Sequence, residues 1–218
     1  MELRDPKFRL SLLTMSWNNQ FTKPSGAMGW VAGQLMAMKN GHRSVWVFSL
    51  LDLKPTDRVL EIGFGSGTDI ARASQAAAFV AGVDHSEVMV KMASGRNAQA
   101  ISAGKVELKL GSAAQLPYPE NHFDRVFAIN AAQFWKDAVK TLTEVGRVLK
   151  PGGWVVLAVQ PRSKKATEET TRQAGIGLSK SLASAGFEDV HTEMQHTPPV
   201  PTVCVLGRRA GSVTEPRA

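Results

Sequence analysis

Gly63, Gly65 and Gly67 stand at alternate positions directly after the apolar run RVLEI (58–62), with Glu61 inside that run and Thr68-Asp69 behind it. Glycines so placed let the chain turn sharply and bring bare backbone against a ligand, with no Cβ in the way. A helix starting at Thr68 would turn unpaired N–H groups and partial positive charge toward an anionic group. A dinucleotide, a nucleoside triphosphate, another adenosyl cofactor or no ligand at all are the alternatives. A triphosphate loop needs Lys-Ser/Thr after its glycines, and Thr68-Asp69 follows here. A dinucleotide fingerprint, G-x-G-x-x-G, places its third glycine where Thr68 stands, whereas the spacing here is G-x-G-x-G.

Asp84 narrows the choice. It ends the next apolar run, FVAGVD, 84 − 63 = 21 residues beyond the first glycine. At that separation an acidic side chain caps the neighbouring strand and accepts hydrogen bonds from ribose hydroxyls. The plain alternative is a helix N-cap before SEVMVKM. An adenosyl cofactor with an unphosphorylated ribose satisfies both the loop and Asp84. A later run, FDRVFAIN, ends in Asn130 and is followed by AAQFW. Ligands of doubly wound sheets lie outside the carboxyl ends of the strands, which directs Asn130, Gln133, Phe134 and Trp135 toward the reacting group.

The elements that must hold these residues alternate from Pro55 onward. Short β-branched runs at 58–62, 79–84, 106–111, 123–130 and 154–159 are separated by TDIARASQAA, SEVMVKMASGRNAQAISA and KDAVKTLTEVGRVLK, each long enough for a crossover helix. That alternation predicts parallel βαβ units in a Rossmann-like, doubly wound α/β sheet. Near the end, the charged stretch 161–175 leads to a predicted helix GLSKSLASAG. FEDVHTEMQ and TVCVLGRRA then flank only TPPVP, too short for a crossover, so they should pair antiparallel. The expected organisation is an N-terminal helical segment over 1–54, broken at KPSGAMG, a cofactor domain over 55–210 and a frayed tail at 211–218.

Composition sets outer limits. With 218 residues, 43% of them apolar, the chain can bury the core of one compact domain. Its net charge of +7 and pI of about 9.8 would suit a polyanion or an anionic membrane surface, although the cations are scattered along the chain. The single cysteine, Cys204, excludes an internal disulfide and a cysteine-based zinc site. MELRDPKFRLSLL lacks the layout of a secretory signal, which points to a cytoplasmic protein. VWVFSLLDL falls short of the ~20 residues of a membrane span. The histidines at 42, 85, 122, 191 and 196 form no metal-ligand spacing.

E-x-G-x-G-x-G at 61–67, Asp84, GSAAQLPYPENHFDRVF at 111–127 and RVLKPGGWVVL at 147–157 together resemble the class I S-adenosylmethionine-dependent methyltransferases. The likeness covers roughly 55–160 and is similar in particular to the subgroup that includes the ubiquinone and menaquinone biosynthesis enzymes. It implies a seven-stranded, mostly parallel sheet whose last strand is antiparallel, with helices on both faces. It also implies S-adenosyl-L-methionine as cofactor and S-adenosyl-L-homocysteine as product. By that resemblance Gly63, Phe64, Gly65 and Gly67 pass beneath the methionyl part and Glu61 organises the loop. Asp84 takes the ribose, with His85, Ser86 and Met89 beside the adenine. Ser112 stands where the family often has Asp, so adenine contact leans on the backbone of Ala113 and Ala114.

The resemblance implies transfer of a methyl group to a small, apolar or amphipathic acceptor. Asn130 is not followed by Pro-Pro-Tyr, which disfavours adenine N6 or glutamine methylation. Cys204 is misplaced for cytosine C5 chemistry. No catalytic residue is obligatory, because the sulfonium is already activated; His85 and His122 are the candidates should a base be needed. Trp17, Met28 and Trp30 suit a lid over an apolar acceptor, and the stretch 29–51 suits peripheral membrane contact; the resemblance further implies that Phe21, Lys23 and Ser25 close over the cofactor's carboxylate. A nucleic-acid or protein methyltransferase and a non-catalytic cofactor-binding protein are the competing readings.

Overall fold

The computed structural model describes residues 41–211; Trp17, Phe21, Lys23, Ser25, Met28, Trp30 and the tail from 212 lie outside them. Helix α1 (Gly41–Leu51) precedes β1 (Arg58–Ile62), α2 (Thr68–Ala76), β2 (Phe79–Asp84), α3 (Glu87–Arg96), α4 (Ala98–Ser102) and β3 (Val106–Leu110). Then come β4 (Phe123–Ile129), a 3₁₀ turn (Ala132–Phe134), α5 (Ala138–Val148), β5 (Leu149–Val159), α6 (Glu168–Ser184), β6 (Phe187–Gln195) and β7 (Thr202–Arg209). The seven strands form one sheet in the order β3-β2-β1-β4-β5-β7-β6. β1 to β5 pair in parallel, and β7 runs antiparallel to both neighbours, β5 and β6.

The central strands are apolar at consecutive positions because both faces of the sheet are covered. Val59, Val80, Phe127 and Val156 pack under α1, α2 and α3 with Val47, Leu51, Ile70 and Ala93. Their alternate neighbours Leu60, Val126 and Leu157 pack with Leu142, Val145 and Leu182 of α5 and α6 on the other face. Strand order reverses between β1 and β4, since β1 is the parallel neighbour of both β2 and β4, and this opens the crevice at the carboxyl ends of β1 and β4.

Three elements depart from the expected bounds. α6 begins at Glu168, nine residues before the predicted GLSKSLASAG. Thr167 and Thr170 form a reciprocal capping box there. Gly175, which breaks the helical pattern in sequence, is a contact glycine: a Cβ on it would lie 2.8 Å from Val203 Cγ2. The segment 86–103 is two helices, because buried Asn97 ends α3 and turns its Nδ2 onto the carbonyls of Ala93 (2.9 Å) and Gly67 (3.0 Å). β5 starts at Leu149, five residues before Trp154, with an irregularity between Phe123 and Arg125 in its partner β4 absorbing Pro151-Gly152-Gly153.

Candidate functional site

The loop after β1 is built from left-handed glycines, with φ of +75° at Gly63, +52° at Gly65 and +73° at Gly67. Two of the three are demanded by the protein itself. A Cβ on Gly63 would lie 2.5 Å from Ala131 Cβ, and one on Gly67 would lie 2.6 Å from Ala93 Cβ. Above Gly65 no described residue stands within 4 Å. The loop is pinned from α3, where Arg96 Nε donates to Ser66 O at 2.9 Å and Asn97 holds Gly67 O. Phe64 turns its side chain into the core beneath Gly82, leaving only its backbone to face the crevice.

Asp84 ends β2 and is 5% exposed. Its Oδ2 accepts from the Gly65 N–H and its Oδ1 from the Ser86 N–H, both at 2.9 Å. The helix cap in this segment is Ser86, whose hydroxyl accepts from Met89 N–H, so the plain alternative for Asp84 falls away. Burial raises the Asp84 pKa, and the Ser86 and Gly65 N–H groups and nearby His85 oppose the rise. His85 is half-exposed, its Nδ1 3.7 Å from Asp84 Oδ1, and Met89 is buried. After β3, the Gly111 N–H donates to Asp84 O at 2.9 Å, which brings Ser112, Ala113 and Ala114 alongside. Ser112 Oγ accepts from the Ala114 N–H at 3.2 Å, so that N–H already has a partner.

At the end of β4, Asn130 adopts a left-handed backbone with φ of +53°, a conformation asparagine tolerates better than most residues. Its N–H donates to Ala158 O, and its Oδ1 accepts from the Gln160 N–H, each at 2.8 Å. Its Nδ2 is buried without a partner. Beyond it Gln133 and Phe134 are exposed, whereas Trp135 is half-buried against the core.

Three residues that the motifs do not single out complete this end of the sheet. Arg43 of α1 is 4% exposed and donates through Nη1 to Gln160 Oε1 at 2.9 Å, while its Nε and Nη2 have no partner. Asp69, in the first turn of α2, accepts from Ser44 Oγ at 3.1 Å through Oδ2, and its Oδ1 is unpartnered. Gln160 also donates to Val200 O at 2.9 Å and Thr197 Oγ1 at 3.1 Å, tying the β6–β7 link to the strand ends. Glu61, 2% exposed, has an unpartnered Oε2. Burial pushes the Arg43 pKa down to about 10, helped by Arg162. Burial raises Asp69 as well, and raises Glu61 well above the ordinary range, with the Asp69 and Asp84 charges adding to the effect on Glu61.

The carboxyl ends of β1, β4 and β5 therefore present buried acceptors on Glu61 and Asp69 beside buried donors on Arg43 and Asn130. Each buried group left unpaired costs about 1–3 kcal/mol, so their concentration at one place makes this end of the sheet the candidate site. No sequence signal exposes Arg43 or Gln160, because α1 must first pack over the strand ends before they meet.

His122 belongs elsewhere. It sits at the amino end of β4, stacked on Tyr118, with Nε2 2.7 Å from Arg58 Nη2, and so cannot serve as a base at the carboxyl ends. Cys204 is fully buried on β7, its thiol pushed up to about 12 by burial. Among the described residues no cluster of three His, Cys, Asp or Glu could hold a metal, and no helix is long and apolar enough to cross a membrane.

A family model described as a methyltransferase domain matches residues 60–157. The chain is 30% identical over 181 residues to the uncharacterized methyltransferase YdaC of Bacillus subtilis (strain 168), covering 82% of this chain and 98% of that one. It is 33% identical over 112 residues to the ubiquinone/menaquinone biosynthesis C-methyltransferase UbiE of Geobacter sulfurreducens, covering 49% of this chain but only 44% of that enzyme's length. In fold it resembles a methyltransferase solved in complex with the Haloferax volcanii Trm112 methyltransferase activator, with a TM-score of 0.72 at 18% identity over 86% of this chain and 97% of that one. Sharing nearly the whole length of the Bacillus relative, the chain belongs to the class I S-adenosylmethionine-dependent methyltransferases, related to the ubiquinone and menaquinone group, and S-adenosylmethionine is its cofactor.

Proposed function

We propose that the protein methylates a small, apolar or amphipathic acceptor at the carboxyl end of β4. The observation that carries the site is the set of unpartnered buried groups around the glycine loop. They suit the amino-acid end of the cofactor: Glu61 and Asp69 would take its ammonium, and Arg43 with Asn130 its carboxylate. Asp84 already accepts the Gly65 N–H on Oδ2 and the Ser86 N–H on Oδ1, with the His85 backbone N–H also bonded to its carboxylate, and the lone pairs left over would take the ribose hydroxyls. The open space above Gly65 leaves room for close approach. Ser86, Met89 and the 112–114 segment would flank the adenine.

When bound, the cofactor supplies a methyl group on a sulfonium, which needs no further activation. What remains for the chain is to align the acceptor in line with that group and to keep water out. Asn130, held from the Gln160 N–H, fixes the floor of this space, and Gln133, Phe134 and Trp135 form its rim. The half-exposed His85 imidazole stands at the ribose side, at Asp84. The name of the Geobacter relative supports a small acceptor of quinone type.

The competing reading, a polymer acceptor drawn by basic charge, finds little support on the described surface. Arg147 pairs with Glu144, Lys150 with Asp124, Arg172 with Glu168, and Arg208 with Glu188 and Asp189. Methyl-labelled S-adenosylmethionine, incubated with the protein and an extract of its source cells, tests the choice. Label in the organic-soluble fraction is expected. Label confined to nucleic acid or protein would overturn the small-acceptor reading, and binding without transfer to any fraction would favour a non-catalytic binder.

A further inference from the structure

We propose that Glu61 carries a proton in the ligand-free protein and releases it to solvent when the ligand's ammonium enters, so that cofactor binding is coupled to proton loss. The inference rests on the cofactor reading above and adds a regulation to it.

The surroundings of Glu61 decide the matter. Its carboxyl is 2% exposed, and Oε2 has no hydrogen-bond partner. Among the described residues, the charged groups that act on it are both negative: Asp69 from α2 and Asp84 from β2. Each of those has compensation that Glu61 lacks. Asp84 accepts backbone N–H groups from Gly65, Ser86 and His85 and lies beside the His85 ring. Asp69 has the Ser44 hydroxyl and the attraction of Arg72 and Arg43. Arg43 itself is turned by Gln160 toward the end of β5, and no ion pair joins it to Glu61 among the described residues. Three carboxylates cannot all stay ionised in so dry a place with so little positive charge, and the one with fewest donors keeps its proton.

An ammonium reverses this balance. Its N–H groups donate to the vacated carboxylate, the carboxyl O–H bond breaks, and the proton passes to buffer. Where one proton leaves for each ligand bound, the dissociation constant should fall about tenfold per pH unit, across the range between the pH at which Glu61 titrates in the complex and that at which it titrates in the free protein.

Calorimetry with S-adenosylhomocysteine, which carries the ammonium and does not react, reads this directly. At about pH 6, titrations in buffers of different ionisation enthalpy should show more than about half a proton released per ligand by the wild type, and none by Glu61→Gln. Infrared difference spectra of the wild type alone should show a protonated-carboxyl band that disappears on ligand addition, which keeps the test valid if the variant does not fold. Binding with no proton released, or equal release by Glu61→Gln, would overturn the proposal while leaving the cofactor reading intact. Failure to bind S-adenosylhomocysteine at all would overturn both.

Discussion

The two ends of the same sheet treat their carboxyl groups in opposite ways. At the amino end, Asp124 accepts from Lys150 Nζ at 2.8 and 2.9 Å and from the Arg58 N–H at 2.8 Å. Burial pushes its pKa up, but these donors and the Lys150 and Arg125 charges bring it below the ordinary value. At the carboxyl end Glu61, Asp69 and Asp84 are all raised, with burial the leading cause in each. The amino end has unpartnered atoms too, Arg58 Nε and Tyr118 Oη. There, however, Arg58 is otherwise engaged, with Nη2 on His122 and its guanidinium 4.3 Å from the Phe79 ring centre. One end closes its charges on one another and serves the fold. The other leaves Glu61, Asp69 and Arg43 with unpartnered buried atoms, and is the end we propose for the ligand.

The sharpest way to break this comparison is at the glycine loop. Gly63→Ala forces a Cβ to within 2.5 Å of Ala131 Cβ at a φ of +75° and should cost about 2–4 kcal/mol in urea unfolding. Gly65→Ala meets no atom within 4 Å, and its φ of +52° should cost only about 1 kcal/mol. If the space above Gly65 belongs to the cofactor, calorimetry on Gly65→Ala should nevertheless show at least tenfold weaker binding. Unchanged affinity would place the ligand elsewhere.

Asp84→Ala comes next in size. Losing hydrogen bonds to a charged acceptor should weaken S-adenosylhomocysteine binding by about 1–3 kcal/mol, or roughly 5- to 150-fold. A variant that still unfolds cooperatively but binds as well as the wild type would remove Asp84 from the site.

Titration contrasts the two ends directly. A raised carboxyl pKa stabilises the fold below the ordinary value of 4.5 and loses that contribution as pH rises through the folded value. Ligand-free Glu61→Gln should therefore match the wild type near pH 4 and exceed its stability by an increasing margin at higher pH. The margin is about 1.4 kcal/mol for each unit by which folding raises the group. Asp124 has the opposite sign, since its lowered pKa contributes stability above the ordinary value of 3.8 and loses it as pH falls through the folded value. Asp124→Asn should lose only about 0.5 kcal/mol at neutral pH, less in high salt, because the Lys150 partner is 40% exposed. Thermal melts across pH would show the two curves diverging in opposite directions, and parallel curves would dissolve the distinction.

The parts legible from residue order are those that depend on local rules. β1, β2 and β6 fall at 58–62, 79–84 and 187–195 as expected, because buried strands read as continuous β-branched runs and β6 is bounded by Gly186 and the 197–201 prolines. The late antiparallel pairing followed from link length alone; the glycines and Asp84 were singled out by spacing and Glu61 by the family resemblance, as proposed site residues. The parts hidden in the sequence depend on tertiary approach. The start of α6 was masked by Gly175, whose reason is a valine on β7, and the break at Asn97 by a carbonyl in the glycine loop. Arg43, Asp69 and Gln160 come from three separated segments, and only the packed sheet brings them to one rim.

The place of β7 bears on how the chain is made. Among the described residues β6 has no strand neighbour except β7, which arrives later in the chain and inserts between β5 and β6. On the ribosome, residues 187–195 must therefore wait for 202–209 before any of their strand hydrogen bonds can form, with both their edges and that of β5 exposed meanwhile. The Gln160 anchors to Thr197 and Val200 lie in the link between these strands, so this rim of the site closes only with the last strand. Nascent chains stalled before β7 should be the species most prone to pair with one another, since open strand edges are templates for association.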